Sequence, residues 1–263
     1  MAELSKRRLF GLDFLTGTSI PEIAEALLAE VAEGAEPADQ WRCVVTPNVD
    51  HLVRYDRFPA ERAVAERSFM VLPDGMPIIW ASRLLRRPLD RRLAGSDLFA
   101  HMWPILAARR TPTVLVAPSQ QVADLLAVQH PDLAAVVAPM FDVHDEVTIT
   151  QLVDDIVSAV DTAGATLVFI AISMAKHHLL AARLEQRWAP HFRAAPTVLL
   201  VGASPEFHLG LAKRAPQWMQ RIGLEWMHRL LQDPRRMSKR YLVDDTRFVK
   251  LVWRELRRGG STR

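Results

Sequence analysis

The chain is predicted to be an α/β protein, with one Rossmann-like, mostly parallel sheet, helices on both faces, and a C-terminal helical appendage. Three observations predict it. Short apolar runs rich in β-branched residues alternate with longer amphipathic segments, the order expected of strands and covering helices. The apolar runs are continuous rather than alternating, as in strands buried on both faces. The last of them ends at Gly202, and beyond about residue 208 the pattern is helical only.

In chain order, strands are expected at 8–14, 42–46, 69–73, 112–117, 134–138, 166–172 and 196–202. Helices are expected between them at 20–33, 57–67, 76–86, 97–109, 120–129, 147–163 and 177–189. Residues 1–207 would form the α/β domain and 208–263 a basic, membrane-associating appendage. In the appendage, Trp218, Ile222, Trp226 and Leu230 recur every four residues and so share one helix face. That stripe suits either a membrane surface or packing against the body. A second helix opens at Pro234 with Asp233 as its cap. A third is expected from Asp244 to Arg257, with Asp244-Asp245 as its cap.

Composition narrows the function classes. Of 263 residues, 49% are apolar and 24% charged, which suits a folded chain with ample core. The single cysteine, Cys43, sits in an apolar run and excludes an intrachain disulfide framework. No stretch approaches the roughly 18 apolar residues of a membrane span, and the N-terminus has no signal-peptide pattern. The expectation is a cytoplasmic protein, peripheral at the inner face of the plasma membrane. Charge is unevenly spread: residues 213–263 hold 14 Lys or Arg against 5 Asp or Glu, while the other 212 residues hold 19 against 25. A basic tail on a slightly acidic body suits an anionic partner, such as a phospholipid surface or a phosphorylated substrate. The tail has no base-reading motif, so nucleic acid is not expected as a partner.

In open α/β sheets ligands bind outside the carboxyl ends of the strands. The residues there are Thr46-Pro47-Asn48-Val49-Asp50-His51, Asp74-Gly75, Pro118-Ser119, Ser173 to His178, and Ala203 to His208. Asp74 follows an apolar run and precedes a glycine. It could be a general base toward a hydroxyl, or the N-cap of the helix that begins near Met76. Asp97 has the same ambiguity, as a site residue or, with Ser96, a cap for helix 97–109. Asn48 could bond a ligand or make a turn after a proline. There is no Gly-x-Gly-x-x-Gly and no Walker-type loop, so neither a dinucleotide cofactor nor a nucleotide-binding P-loop is indicated. No cofactor is expected. Lys176-His177-His178 is not read as a metal motif, because neighbouring side chains on a helix point apart. Arg214, Arg221, Arg235, Arg236 and Arg240 offer forked donors for a diphosphate, or could flank the aromatic stripe and snorkel.

Several segments together resemble a known family. They are Thr46-Pro47-Asn48, 72–82 (LPDGMPIIWAS), 92–98 (RLAGSDL), 213–226 (KRAPQWMQRIGLEW), 229–236 (RLLQDPRR) and 240–242 (RYL). The chain resembles, over nearly its whole length, the bacterial WecG/TagA/CpsF glycosyltransferases. These include the N-acetylmannosaminyltransferases of wall teichoic acid and enterobacterial common antigen synthesis. The resemblance implies an inverting, metal-independent transfer from a UDP-sugar donor to a polyprenyl-diphosphate-linked acceptor in cell-surface polymer synthesis. It implies Asp74 as the base, with Thr46 and Asn48 lining the site. It also puts Asp97, Lys176, His177 and Glu206 on the substrate side and closes the basic appendage over the pocket. A second reading is an inactive member that binds a nucleotide sugar or lipid and regulates an assembly complex. It is motivated by departures from the family pattern. The usual Gly-x-Pro-Lys-Gln-Glu run is Ser173-Met174-Ala175-Lys176-His177-His178, with His177 in place of the glutamine. Glu206 replaces an aspartate, Pro118-Ser119 a glycine pair, and Met140-Phe141-Asp142 a glycine-aromatic segment. These changes leave the donor sugar open, and a homo-oligomer stays compatible with the sequence.

Overall fold

The computed structural model describes residues 5–32, 41–189, 195–213 and 247–257, with positions 215, 216, 219 and 227. Its eight strands are β1 (Lys6–Leu9), β2 (Leu12–Leu15), β3 (Cys43–Val45), β4 (Met70–Val71), β5 (Thr113–Ala117), β6 (Leu133–Val137), β7 (Leu167–Ile170) and β8 (Thr197–Leu200). They form one sheet in the order β1-β2-β4-β3-β8-β7-β5-β6. β1 and β2 pair antiparallel, and every other pairing is parallel. All carboxyl ends from β2 to β6 therefore open on the same rim.

The central strands divide their side chains between two apolar layers, as the two-residue repeat of a strand requires. Cys43, Val45, Val114, Val116, Val168, Ile170, Val198 and Leu200 join one core; Val44, Leu115, Leu167, Phe169 and Leu199 join the other. The first core is covered by α2 (Val49–Tyr55), α3 (Pro59–Glu66), α4 (Met76–Leu84), α7 (Glu146–Ala163), α8 (Met174–Trp188) and a last helix, α10 (247–257). The second is covered by α1 (Ile20–Glu30), α5 (Gly95–Arg109) and α6 (Gln120–Gln129). The short α9 (Ser204–His208) packs on α5, where Gln129 Oε1 accepts from Trp103 Nε1 at 2.9 Å and lies 3.1 Å from His208 Nε2.

The expected class holds, with local corrections that have physical causes. The run 8–14 is a hairpin rather than one strand. Phe10 and Gly11 both take positive φ, at 53° and 82°, the tight two-residue turn whose twist matches paired strands. A Cβ on Gly11 would displace the Arg62 guanidinium, and the positive φ is what favours glycine there. The expected helix 57–67 is α3 alone, opened by Pro59 at its first turn, and α2 precedes it unpredicted. The helices expected to begin at 97 and 177 begin at Gly95 and Met174. β6 is an edge strand and only half-buried, unlike the strands between it and β2.

The appendage helix α10 lies on the body. Phe248 and Val252 are buried in the first core, the Phe248 ring is 5.8 Å from that of Phe10, and Arg254 bonds Asp56 at 2.6 Å. Its other face exposes Val249, Trp253 and Leu256. The stripe residues Trp218, Ile222, Trp226 and Leu230 and the caps Asp233 and Asp244-Asp245 lie outside the described residues. So do Arg214, Arg221, Arg235, Arg236 and Arg240.

Candidate active site

Two neighbouring strands bring the first group together. β3 and β4 run parallel with Val44 opposite Met70 and Val45 opposite Val71. The ladder continues past both strands: Leu72 N donates to Val45 O at 2.9 Å, and Asp74 N to Pro47 O at 3.0 Å. Asp74 is thereby fixed at the carboxyl rim beside Thr46-Pro47-Asn48. Gly75, with φ 128°, holds the N-cap position of α4, so Asp74 stands one residue before the cap. The Gly75 backbone approaches Asn48 closely enough that a Cβ there would sit 4.0 Å from that of Asn48.

The N-terminus of α5 closes on the same place. Leu93 N donates to Pro73 O at 2.8 Å, which ties the segment before α5 to the Asp74 loop. A Cβ on Gly95 would lie 2.7 Å from Thr46 Oγ1 and 3.1 Å from Thr46 Cγ2. Only a glycine lets the helix start come this near the threonine. The N-cap residue of α5 is Ala94, so neither Ser96 nor Asp97 occupies that position. Asp97 instead accepts from Arg92 Nη2 at 3.2 Å, and as an acid in the first turn it complements the helix dipole.

Asn48 is the N-cap of α2. Its Oδ1 accepts from the His51 N–H at 3.2 Å and lies 2.8 Å from His51 Nδ1. The side chain thus spends its oxygen on the helix start and turns His51 toward α8. There the His51 ring stacks on His177, with centroids 5.8 Å apart and planes 20° apart. His177 and His178 lie 4.6 Å apart, centroid to centroid. The argument that neighbouring helical side chains diverge does not hold here: at the first turn of α8 both rings turn inward, against α2.

The electrostatics of this group follow from burial. His178 Nδ1 lies 2.9 Å from the Met174 carbonyl and must be the protonated nitrogen, since a carbonyl only accepts. His178 Nε2 then accepts from the Tyr55 hydroxyl at 2.6 Å. His177 is 3% exposed, and neither of its ring nitrogens has a hydrogen-bond partner. Burial holds the titration of His51 and His177 well below the usual imidazole range, with the neighbouring imidazoles adding to the effect. His178 is lowered as well, chiefly by burial. Burial likewise pushes Tyr55 well above its ordinary value. The three imidazoles offer ligand atoms within 4.8 Å of one another.

The remaining expected residues stand apart from both groups. The Lys176 ammonium lies over the Phe141 ring, 4.4 Å from its centroid. Glu206 is half-buried on α9, and its carboxylate makes no hydrogen bond or ion pair with a described residue. Sequence reasoning passed over Gly95, Tyr55 and the inward turn of His178. The Asn48/His51 spacing, N-cap to third helical residue, was the one available signal for the α2 start.

Comparison with known proteins gives the family. A model of the "Glycosyl transferase WecG/TagA/CpsF family" matches residues 7–262. The "N-acetylglucosaminyldiphosphoundecaprenol N-acetyl-beta-D-mannosaminyltransferase" of Bacillus subtilis (strain 168) is 26% identical over 186 residues, 67% of this chain and 66% of that protein. The protein of the same name from Bacillus spizizenii (strain ATCC 23059 / NRRL B-14472 / W23) is 25% identical over 200 residues, covering 74% and 73%.

Proposed function

Since the chain belongs to the WecG/TagA/CpsF family of glycosyl transferases, we propose that it transfers a sugar from a UDP-sugar to a polyprenyl-diphosphate-linked acceptor, with inversion. The observation that carries this reading is the lodging of Asp74 at the sheet rim, bonded through its backbone to Pro47 between Thr46 and Asn48. The relatives' printed name supplies the acceptor class, a diphosphoundecaprenol-linked N-acetylglucosamine, and suggests N-acetylmannosamine as the sugar.

In this reading the Asp74 carboxylate takes the proton of the acceptor hydroxyl as that oxygen attacks the anomeric carbon. The attack comes from the face opposite the diphosphate. The new glycosidic bond forms as the bond from carbon to diphosphate oxygen breaks, and UDP leaves. Thr46, held against Gly95, and Asn48, held by its cap, supply fixed polar walls. Asp97 and Glu206 flank the donor, with Lys176 and His177 on the first turn of α8. The leaving diphosphate needs cations, and Arg214, Arg221, Arg235, Arg236 and Arg240 of the basic tail suit it through forked donors. The same tail docks the protein on an anionic membrane surface, where its lipid-linked acceptor resides. No helix among the described residues is long and apolar enough to cross a membrane. The exposed Val249, Trp253 and Leu256 of α10 support surface attachment.

The test presents a panel of UDP-sugars with a polyprenyl-diphosphate-linked N-acetylglucosamine and follows product mass. One donor should yield a product heavier by one sugar residue, with the anomeric configuration opposite to that of the donor. No product from any donor, with the folded protein binding the acceptor, would favour the regulatory reading instead.

A further inference from the structure

The geometry points to a three-imidazole site for a zinc-class divalent metal ion, built from His51, His177 and His178, that pins α2 to α8 beside the active-site rim. The ligand atoms already lie within 4.8 Å of one another. A tetrahedral zinc with Zn–N bonds of about 2.05 Å would bring them to about 3.3 Å, which rotations of the three rings can supply.

His178 is prepared in the way metal-bound histidines are. A ligating histidine usually donates its other N–H to a carbonyl or similar acceptor, which fixes the tautomer and aims the lone pair. His178 does this with Nδ1 on the Met174 carbonyl at 2.9 Å, leaving Nε2 as the lone-pair nitrogen. His51 Nδ1 lies 2.8 Å from Asn48 Oδ1 and 3.3 Å from the Asn48 backbone nitrogen, and in the tautomer that donates to Oδ1 its Nε2 is the lone-pair nitrogen. His177 brings two nitrogens without a well-formed hydrogen bond, the Ile172 backbone being a polar neighbour, in a side chain 97% removed from solvent. A buried polar group without a partner is uncommon and calls for an occupant.

The surroundings fit. The Tyr55 hydroxyl, now on His178 Nε2, would turn aside to yield that lone pair to the ion. Arg54, whose charge acts on these rings, is paired with Glu61, which offsets it. His51 is only partly buried and provides the entry side. An ion here would join the carboxyl end of β3 to that of β7 across β8, and hold the Asn48 cap in place. The site serves structure, and stands whether or not the proposed transfer is correct.

The test uses the full chain, stripped with a chelator, desalted, and titrated with Co²⁺, whose visible absorption reports tetrahedral nitrogen ligation. One equivalent should bind, Zn²⁺ should displace it, and Zn²⁺ should raise Tm by mass action. His177→Gln removes a ligand and should lower affinity by at least about 100-fold, the upper end of what losing a mere supporting partner costs. His144→Gln, at an exposed position, should bind as the parent does. Melting of the metal-free variants shows whether they fold. If His177→Gln does not, His51→Asn replaces it, with the same expected loss. The proposal is overturned if no tetrahedral band forms, if Zn²⁺ leaves Tm unchanged, or if a folded His177→Gln or His51→Asn binds like His144→Gln.

Discussion

The rings of His51 and His177, which are 126 positions apart in sequence, stack at 5.8 Å with planes 20° apart. The contact bridges the helices that follow β3 and β7, strands separated in the sheet by β8. It places the Asn48 cap, and through it the Thr46–Asp74 rim, in mechanical continuity with the start of α8.

That continuity makes the cluster a source of pH dependence in stability. His51, His177 and His178 titrate lower in the folded state than in the unfolded chain. Above the unfolded value, near pH 6.5, they are neutral in both states and stability is independent of their protonation. As pH falls below it, the unfolded chain takes up protons that the folded one excludes. Stability then drops by up to about 1.4 kcal/mol per pH unit for each group. Urea unfolding in metal-free buffer between pH 7 and pH 5 should show this slope. His177→Gln should flatten it, and an equal slope in that variant would remove His177 from the account.

Asp74→Asn should lower kcat by about 10²–10⁴-fold, the span of general-base contributions, with Tm close to the parent's. The carboxamide keeps the shape and the Asp74 N–H bond to Pro47, so folding is spared. A variant with parental kcat on the true substrates would show that the carboxylate only shapes the rim.

Gly95→Ala should destabilise the fold by about 1–3 kcal/mol through overpacking, since its Cβ meets Thr46 Oγ1 at 2.7 Å. Thr46→Ala removes the two nearest atoms, so the same glycine substitution should cost much less in that background. Denaturant unfolding of the four proteins gives the coupling. Additive effects would mean that the helix start yields without touching Thr46.

Cys43 is buried on β3, and desolvation pushes its thiol up to about 12. With so little thiolate at pH 8, iodoacetamide should label the folded protein only at the rate of unfolding, and label it fully in denaturant. Fast labelling under native conditions would contradict the placement of β3 inside the sheet.

Trp253→Ala on the exposed face of α10, combined with charge reversal at Arg235 and Arg236, should weaken binding to anionic liposomes. Sedimentation at low salt checks it. Unchanged binding would assign membrane contact to other residues.

Much of the architecture was legible because its signals are local. A continuous β-branched run such as 166–172 is recognisable as a doubly covered strand wherever it sits, and β7 lies there with every residue buried. Helix 120–129 was legible from its apolar spacing after Ser119, which caps it through a bond to Val122 N. Asp74 was legible because a polar residue ending an apolar run must lie at the rim of a parallel sheet. The family followed from contiguous motifs, and the family match over 7–262 agrees.

What tertiary structure alone decided is which rim residues meet. Strand order is not written in any one strand, so nothing in 46–51 or 173–178 announces that β3 and β7 flank β8 and bring His51 onto His177. The turn at Phe10-Gly11 was missed because a positive φ at phenylalanine is tolerated only when the paired strands enforce it. Helix periodicity sends His177 and His178 apart, while packing against α2 turns both inward, at 4.6 Å. Residue type and spacing determine elements through short-range sterics and hydration. The partners of a buried imidazole depend on contacts more than a hundred residues distant, and only the assembled core supplies those.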